Sequence, residues 1–275
     1  MNNLPISAII PAKNMEKTIE NCLDSVQRNN PAEIIVVDGN SSDRTVEIAR
    51  RYTEKIYSDE GKGTSYAHQL GAEQASQEYI AYVDADIVMP DGTLSTLLAE
   101  LKESGYANIH AKLMPGNRYT YWERAHTQLF QILKTKGVEG QGGLDCGVLR
   151  RDTVLNIKFD PSVKYFGNDL AFCAKLKKEG YKLGNSSAIF YHYHPTGLKI
   201  FVKYMFSIGR CDVHIAGKYK PWYAGLNPTL SIFYWTAFCL INGKPKLIPY
   251  VVLSGIMRTA GMVKGFFELL LLGRG

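Results

Sequence analysis

Tyr79-Ile80-Ala81-Tyr82-Val83-Asp84-Ala85-Asp86 is an unbroken apolar run that ends in two carboxylates one residue apart. The run is short and apolar, which reads as a strand. If the acids continue that strand, its period of two puts both side chains on one face, where the sheet stops and a ligand can sit. Two carboxylates aimed into one crevice repel each other unless a cation neutralises them. Hard oxygen ligands suit Mg2+ or Mn2+, ions usually shared with substrate phosphates. The plain alternative is one acid capping a turn before Pro90-Asp91-Gly92 and the other solvated. The surrounding sequence has to decide.

Upstream, Ile6-Ser7-Ala8-Ile9-Ile10 is a second β-rich run, and residues 15–28 carry apolar residues at helical spacing (Ile19, Cys22, Leu23, Val26). Glu33-Ile34-Ile35-Val36-Val37-Asp38 is a third, followed by Ser41, Ser42 and Asp43 as caps for a helix running to about Tyr52. A strand near Lys55-Ile56-Tyr57, the Gly61-Lys62-Gly63 loop and a helix from Thr64 to Ser76 complete the alternation. Strand and helix in turn predict an α/β fold with a mainly parallel sheet flanked by helices, its ligands at the carboxyl ends of the strands. Four polar segments fall at such ends: Pro11-Ala12-Lys13-Asn14, Asp38-Gly39-Asn40, Gly61-Lys62-Gly63 and Asp84-Ala85-Asp86. No Gly-x-Gly-x-x-Gly follows the first strand and no P-loop signature occurs, which disfavours a dinucleotide site and a P-loop NTPase.

Residues 7–14 (SAIIPAKN), 33–45 (EIIVVDGNSSDRT) and Asp84-Ala85-Asp86, in that order and spacing, resemble a family 2 glycosyltransferase of GT-A fold. The resemblance continues at Gly142-Gly143 through Arg150-Arg151, similar to that family's acceptor-side strand. It extends to Phe166-Gly167-Asn168-Asp169, similar to its Glu-Asp motif, and to His192-Tyr193-His194-Pro195, similar to its late histidine segment. It implies an inverting transfer of a sugar from a nucleoside-diphosphate sugar to an acceptor hydroxyl, with UDP as the family's commonest donor nucleotide. It also implies Mn2+ or Mg2+ on Asp86 with His192, a general base at Asp169, and sugar or acceptor contacts from Gly142, Gly143 and Arg150. Two positions depart from the family pattern. Asn168 stands where Glu is usual, and Ala67-His68-Gln69 stands where Arg-Asn is common.

The chemistry of the residues gives each candidate an alternative. Pro11, Ala12, Asn14, Asp38, Lys62 and Asp84 line loops that can hold a donor nucleotide. Asp38 can accept a hydrogen bond from base or ribose, or be an ordinary turn residue beside Gly39. Lys62 can touch phosphate or base, or be a solvated loop lysine. Asp169 at a helix start can be a cap as well as a base, since a helix N-terminus holds a carboxylate ionised. His192 and His194 alternate, so they share a face; His192 is the preferred ligand, and two surface histidines are the alternative.

Charge divides the chain. Residues 1–150 carry a net −5 and residues 151–275 a net +11. A basic tail suits nucleic acid, but no nucleic-acid motif accompanies it. It is also apolar: residues 221–243 hold no charge, yet the continuous apolar core there is about a dozen residues, short of the roughly 20 that a spanning helix needs. Around the helix Ile256–Leu272, Arg258, Lys264 and Glu268 fall on one arc, with Met262, Val263, Phe266, Phe267, Leu269 and Leu270 on the other. That pattern reads as an interfacial helix on an anionic membrane, or as a packing or homodimer surface. The expected organisation is a glycosyltransferase domain at 1–215, with a donor half at 1–113 and an acceptor half at 114–215, then a helical membrane-associating or packing region at 216–275. Five scattered cysteines suit reduced thiols. Met1-Asn2-Asn3-Leu4-Pro5 lacks the pattern of a secretory leader. The expected location is therefore cytoplasmic, peripheral at the inner face of the cell membrane, with a lipid-linked or cell-envelope glycan precursor as acceptor. Rival readings are a catalytically silent nucleotide-binding scaffold and a sugar-nucleotide pyrophosphorylase. The latter would need a Gly-rich, Arg-containing loop where Pro11-Ala12-Lys13-Asn14 stands.

Overall fold

The computed structural model describes residues 3–116, 120–135, 143–164, 167–193, 197–219 and 228–272. Two compact units form, Met1–Gly116 with Glu139–His194, and Asn117–Val138 with Pro195–Gly275. This differs from the expected boundary after residue 215, because two helices placed in the catalytic half by sequence order join the C-terminal unit instead.

The first unit is an eight-stranded sheet in the order β3-β2-β1-β4-β7-β6-β8-β5. β1 (Leu4–Ala12), β2 (Pro31–Asp38), β3 (Ile56–Ser58) and β4 (Tyr79–Val83) run parallel. Every residue of β4 is buried, which is why its sequence is continuously apolar rather than alternating. The expectation of a mainly parallel sheet holds for this half. The other half is mixed: β7 (Cys146–Arg150) is antiparallel to β4 and to β6 (Asn108–Pro115), while β6 and β8 (Leu183–His192) are parallel. β5 (Ile87–Val88) closes the far edge, antiparallel to β8. The carboxyl ends of β1, β2, β4, β6 and β8 therefore share one edge with the start of β7.

Helices α1 (Ile19–Arg28), α2 (Thr45–Ala49), α3 (Thr64–Gln74), α4 (Thr93–Ser104), α6 (Arg151–Ile157) and α7 (Asn168–Lys178) belong to this unit. α2 is shorter than expected. None of its three anticipated caps holds the cap position, which falls to Arg44 without a side-chain cap bond; Asp43, one residue earlier, accepts the Thr45 N–H at 3.0 Å. Ser41 and Ser42 instead tie the β2 loop to Asp38 and Asn14. The start of α3 is fixed by Gly63, whose φ of +100° and close approach to the Lys164 carbonyl leave no room for a side chain. Beneath α3 and α7, Phe159 stacks on Phe172 at 4.3 Å and meets Tyr82 edge-on, an arrangement worth roughly 0.5–1.5 kcal/mol per pair beyond area burial.

At the opposite edge of the sheet, Glu33 supplies a stability test that leaves the candidate site untouched. Its side chain is 7% exposed and bonded to Lys55. It also accepts hydrogen bonds from the Ser7 hydroxyl and from the Ser76 backbone and hydroxyl. Burial raises its pKa, but these partners outweigh burial and lower it from 4.5 to about 2. A depressed carboxylate pKa contributes stability above the unfolded value, and this is lost as pH falls towards the folded one. Glu33→Gln is therefore expected to cost about 2 kcal/mol at pH 7 and little near pH 2. Urea unfolding across that range checks it; a variant whose deficit does not shrink in acid would refute the assignment.

The second unit is helical: α5 (Tyr121–Thr135), α8 (Leu198–Tyr219), α9 (Pro228–Ile241), a 3-10 turn at Pro245–Leu247 and α10 (Ile248–Leu272). Its core gathers Ala125, Phe201, Met205, Cys239, Leu247, Tyr250 and Val251, with Trp122 stacked on Phe201 at 4.9 Å. α8 and α10 approach to backbone contact at Gly209, Gly261 and Gly265. The ion pairs Arg258–Asp212 and Arg210–Glu268, both 2.6 Å, cross the same seam. The polar arc expected on α10 is thus partly consumed by α8, while Val263, Phe266, Phe267 and Leu270 stay exposed. No helix among the described residues is long and apolar enough to cross a membrane.

Candidate active site

The chain leaves β4 at Val83 and turns at once, the Ile87 N–H donating to the Asp84 carbonyl at 3.1 Å. Asp84-Ala85-Asp86 is therefore a turn, and the period of a strand is not what aligns its acids, contrary to the sequence expectation. The turn and β8 do it together. Ile87 pairs with His192, and the Tyr193 N–H donates to the Asp86 carbonyl at 2.9 Å. His192 Nε2 donates to Asp86 Oδ1 at 2.9 Å. Ligand atoms of Asp84, Asp86 and His192 all lie within 4.8 Å of one another.

Electrostatics shows what this cluster wants. Burial pushes the Asp84 carboxyl well above its ordinary range, and the charges of Asp86 and Asp145 push it further. Burial alone would lower His192, but Asp86 and Asp84 overcome it and raise the imidazole to about 9. Left to itself, the cluster recruits protons to offset its negative charge. Two carboxylate oxygens and one imidazole nitrogen are a donor set that Mn2+ or Mg2+ can take in place of those protons.

Asp169 comes in from α7, in the first turn after Gly167 at the cap. Burial and the charge of Asp145 raise its pKa, while the N–H groups of Leu170 and Asp169 itself pull the other way. The carboxylate is thus held at a helix start, with burial and backbone N–H groups acting on it in opposite directions.

Pro11 and Ala12 pair with Val37 and Asp38, so these candidates sit together at the carboxyl edge. Asn14 adopts a left-handed φ of 55° and accepts the Ser42 N–H at 2.8 Å, and the Asp38 carboxylate accepts the Ser41 N–H at 3.2 Å. Lys62 is exposed and held by Glu60 at 2.6 Å, over the Tyr66 ring. Gly143 lies against His110 and Asp145. Arg150 is the correction. Antiparallel pairing puts Cys146 beside Val83 and Arg150 beside Tyr79, at the other end of the strand, where it bonds Glu78 at 2.7 Å. Four residues of strand carry it about 13 Å from the edge where the acids gather. Gly142 and His194 fall outside the described residues.

Two residues were missed. His110, buried on β6, donates Nε2–H to Asp145 Oδ1, and Asp145 also accepts the Asp84 N–H on its carbonyl at 3.0 Å. Only the β6–β7 pairing brings them together, 35 residues apart. The two departures from the family pattern also meet. Asn168 contacts His68 at 3.3 Å, and burial lowers His68 to about 4, so both partners are neutral. A Glu at 168 would put a second buried acid beside Asp169 with no cation from His68. The two exchanges are mutually consistent.

A mixed sheet with an acid turn at the end of a central strand, a histidine from a late strand beside it and a carboxylate at a facing helix start is the architecture of the GT-A glycosyltransferases. The family model described as "Glycosyl transferase family 2" matches residues 7–153, and the chain belongs to that family. A 4,4'-diaponeurosporenoate glycosyltransferase of Staphylococcus haemolyticus is 41% identical over 90 residues, 30% of this chain and 24% of the relative. Glycosyltransferase GlyA of Streptococcus pneumoniae is 30% identical over 135 residues, 46% of this chain and 19% of the relative. The chain thus spans a quarter or less of these relatives' lengths. Glucosyl-3-phosphoglycerate synthase of Mycobacterium tuberculosis, solved with Mg2+ and uridine diphosphate, superposes with a TM-score of 0.59 at 16% identity over 78% of this chain and 79% of that one. That likeness shows a shared fold.

Proposed function

We propose that this protein is an inverting glycosyltransferase that moves a sugar from a UDP-sugar to an acceptor hydroxyl, with Asp84, Asp86 and His192 holding Mn2+ or Mg2+. The observation that carries the reading is the convergence of those three ligand atoms within 4.8 Å at the carboxyl edge of the sheet. A divalent ion bound there supplies the positive charge that a departing diphosphate requires. The remaining work falls to the chain. Asp38, Asn14, Pro11 and Ala12 hold the nucleotide, and Lys62 swings from Glu60 to reach it. Asp169 takes the proton of the acceptor hydroxyl. The freed oxygen then bonds the anomeric carbon opposite the breaking carbon–oxygen bond, which inverts the centre. The raised pKa of Asp169 favours that transfer near neutral pH.

Titration of UDP, GDP and dTDP with and without Mn2+ tests the donor assignment, because a ligand of the native state raises its melting temperature. Release of free sugar from the preferred nucleotide sugar disposes of the silent-scaffold reading. Absence of any nucleotide-dependent shift would overturn the proposal. The family match leaves the pyrophosphorylase reading without support.

The second unit supports placement at an anionic membrane, with a lipid-linked or envelope-glycan acceptor, on the cytoplasmic face where thiols stay reduced. On α9, Phe233, Tyr234, Leu240 and Ile241 are 59–84% exposed, and on α10 Val263, Phe266, Phe267 and Leu270 are 47–59% exposed. Lys199, Lys203, Lys244, Lys246 and Lys264 are exposed in the same unit. Apolar residues that sink into the headgroup region beside lysines that meet lipid phosphates are the composition of an interfacial surface. Changing Phe233, Ile241, Phe266 and Phe267 together to Ser is expected to abolish flotation with phosphatidylglycerol vesicles and leave UDP affinity unchanged. Deleting the whole tail is a poorer test, since Leu247, Tyr250 and Val251 belong to the unit's core. Wild-type protein that stays off vesicles and sediments as a dimer would favour a homodimer through these helices.

A further inference from the structure

Asp145 is neither in the metal cluster nor at the helix start that carries the base, yet both its backbone and its side chain are held. Its carbonyl accepts the Asp84 N–H at 3.0 Å, and its Oδ1 accepts the N–H of His110. Gly143 is pressed against both partners: a Cβ there would fall 2.7 Å from His110 Nε2 and 3.0 Å from Asp145 Oδ1. Asn108, fully buried two residues before His110, donates to the Gly143 carbonyl at 3.4 Å. The two members of the pair differ in access. The His110 side chain is 5% exposed and that of Asp145 is 26% exposed, so the histidine is the buried anchor and the acid is the solvent-accessible member of the pair.

Position gives this acid a use. In the transfer proposed above, on which this inference rests, the moving sugar lies between the diphosphate at Asp84 and Asp86 and the acceptor hydroxyl at Asp169. Asp145 bonds the Asp84 backbone directly, and its charge acts on Asp84, His192 and Asp169 alike. It therefore stands beside the span the sugar must occupy. We infer that Asp145, locked by His110, forms the sugar subsite, accepting hydroxyl groups of a neutral sugar and turning away sugars that carry a carboxylate. A fixed carboxylate accepts O–H groups strongly, and an anionic substituent brought against it is left with repulsion and an unmet desolvation cost. Sites built this way discriminate by rejecting the wrong group as much as by binding the right one.

Calorimetry on the full chain in Mn2+ with UDP, UDP-glucose and UDP-glucuronate tests the inference. Wild type is expected to bind UDP-glucuronate at least about tenfold more weakly than UDP-glucose. Asp145→Asn should narrow that ratio to about threefold or less and leave UDP affinity within about threefold. His110→Gln, which keeps an N–H donor for the acid, should preserve most of the ratio, while His110→Leu should lose it. Melting temperatures taken alongside show which variants are folded, and the His110 pair decides the matter if Asp145→Asn is not. Equal wild-type affinity for the two sugars, or a ratio unmoved in folded Asp145→Asn and His110→Leu proteins, overturns the subsite. So does a fall in UDP affinity as large as the fall in UDP-glucose affinity, which marks a purely structural role. Failure of wild type to bind UDP at all is a different result and removes the transferase reading itself.

Discussion

Asp169→Asn is expected to lower sugar transfer by about 10² to 10⁴, the usual worth of general-base assistance, with donor affinity hardly changed. The amide is nearly isosteric and still offers an oxygen to the Leu170 N–H at the start of α7, so the fold should lose about 1 kcal/mol or less. It cannot take a proton from a hydroxyl. Asn168 next to it cannot substitute, because its amide is occupied with neutral His68 and has no basic oxygen. Asp145 is a neighbour that could cover part of the loss, since its charge already acts on Asp169. The double change with Asp145→Asn should therefore fall below the single one if Asp145 takes over, and match it if Asp145 only holds the sugar. Transfer assayed at saturating donor, with UDP affinity and melting temperature measured alongside, separates these. Near wild-type transfer in a folded Asp169→Asn protein would leave Asp169 a helix cap and nothing more.

What could be read from the sequence follows the physics of burial. β4 was legible to the residue, and β1 and β2 to within two residues at their ends, because strands covered on both faces must be apolar throughout, and loops that bind must fall at their carboxyl ends. β5 was not legible, since two residues carry no periodicity, and so the acid pair was taken for a strand end instead of the turn that crosses to the far edge. Arg150 was misplaced for a related reason. It stands seven residues after Gly143 in sequence, but the extended strand Cys146–Arg150 lies between them and antiparallel pairing points its end away. His110 and Asp145 were invisible because each is unremarkable alone, and the register between β6 and β7 is a tertiary fact. The unit boundary was misjudged because α5, amphipathic like any surface helix, gives no sign in its own sequence of which core it will cover. His192 could be placed beside the acids because a family pattern supplied the partner that local sequence could not.

Asp86→Ala should remove the metal dependence of nucleotide binding outright. Asp86 is the hub of the cluster: its carboxylate accepts a hydrogen bond from His192 Nε2–H at 2.9 Å, and its carbonyl accepts the Tyr193 N–H just past the end of β8. Removing the side chain takes away one ligand and the orientation of another. Disturbing only the outer support of a ligand typically costs 10- to 100-fold in metal affinity, so a loss on the order of 10² or more is expected for Mn2+ here. UDP affinity in Mn2+ should then drop to the value that wild type shows in EDTA. Acid should weaken the wild-type site in the same direction. Below its pKa of about 9, His192 holds a proton that the ion must displace, so Mn2+ affinity should climb as pH rises from about 6.5 to 8.5. Loss of Asp86 removes the main charge that keeps this imidazole protonated, so the variant's residual affinity should depend less on pH. Calorimetry at several pH values, with and without EDTA, reads both effects. Wild-type UDP affinity that is the same in EDTA and in Mn2+ would show that the acid turn holds the nucleotide without a cation, and the reading of Asp84, Asp86 and His192 as a metal site would fall.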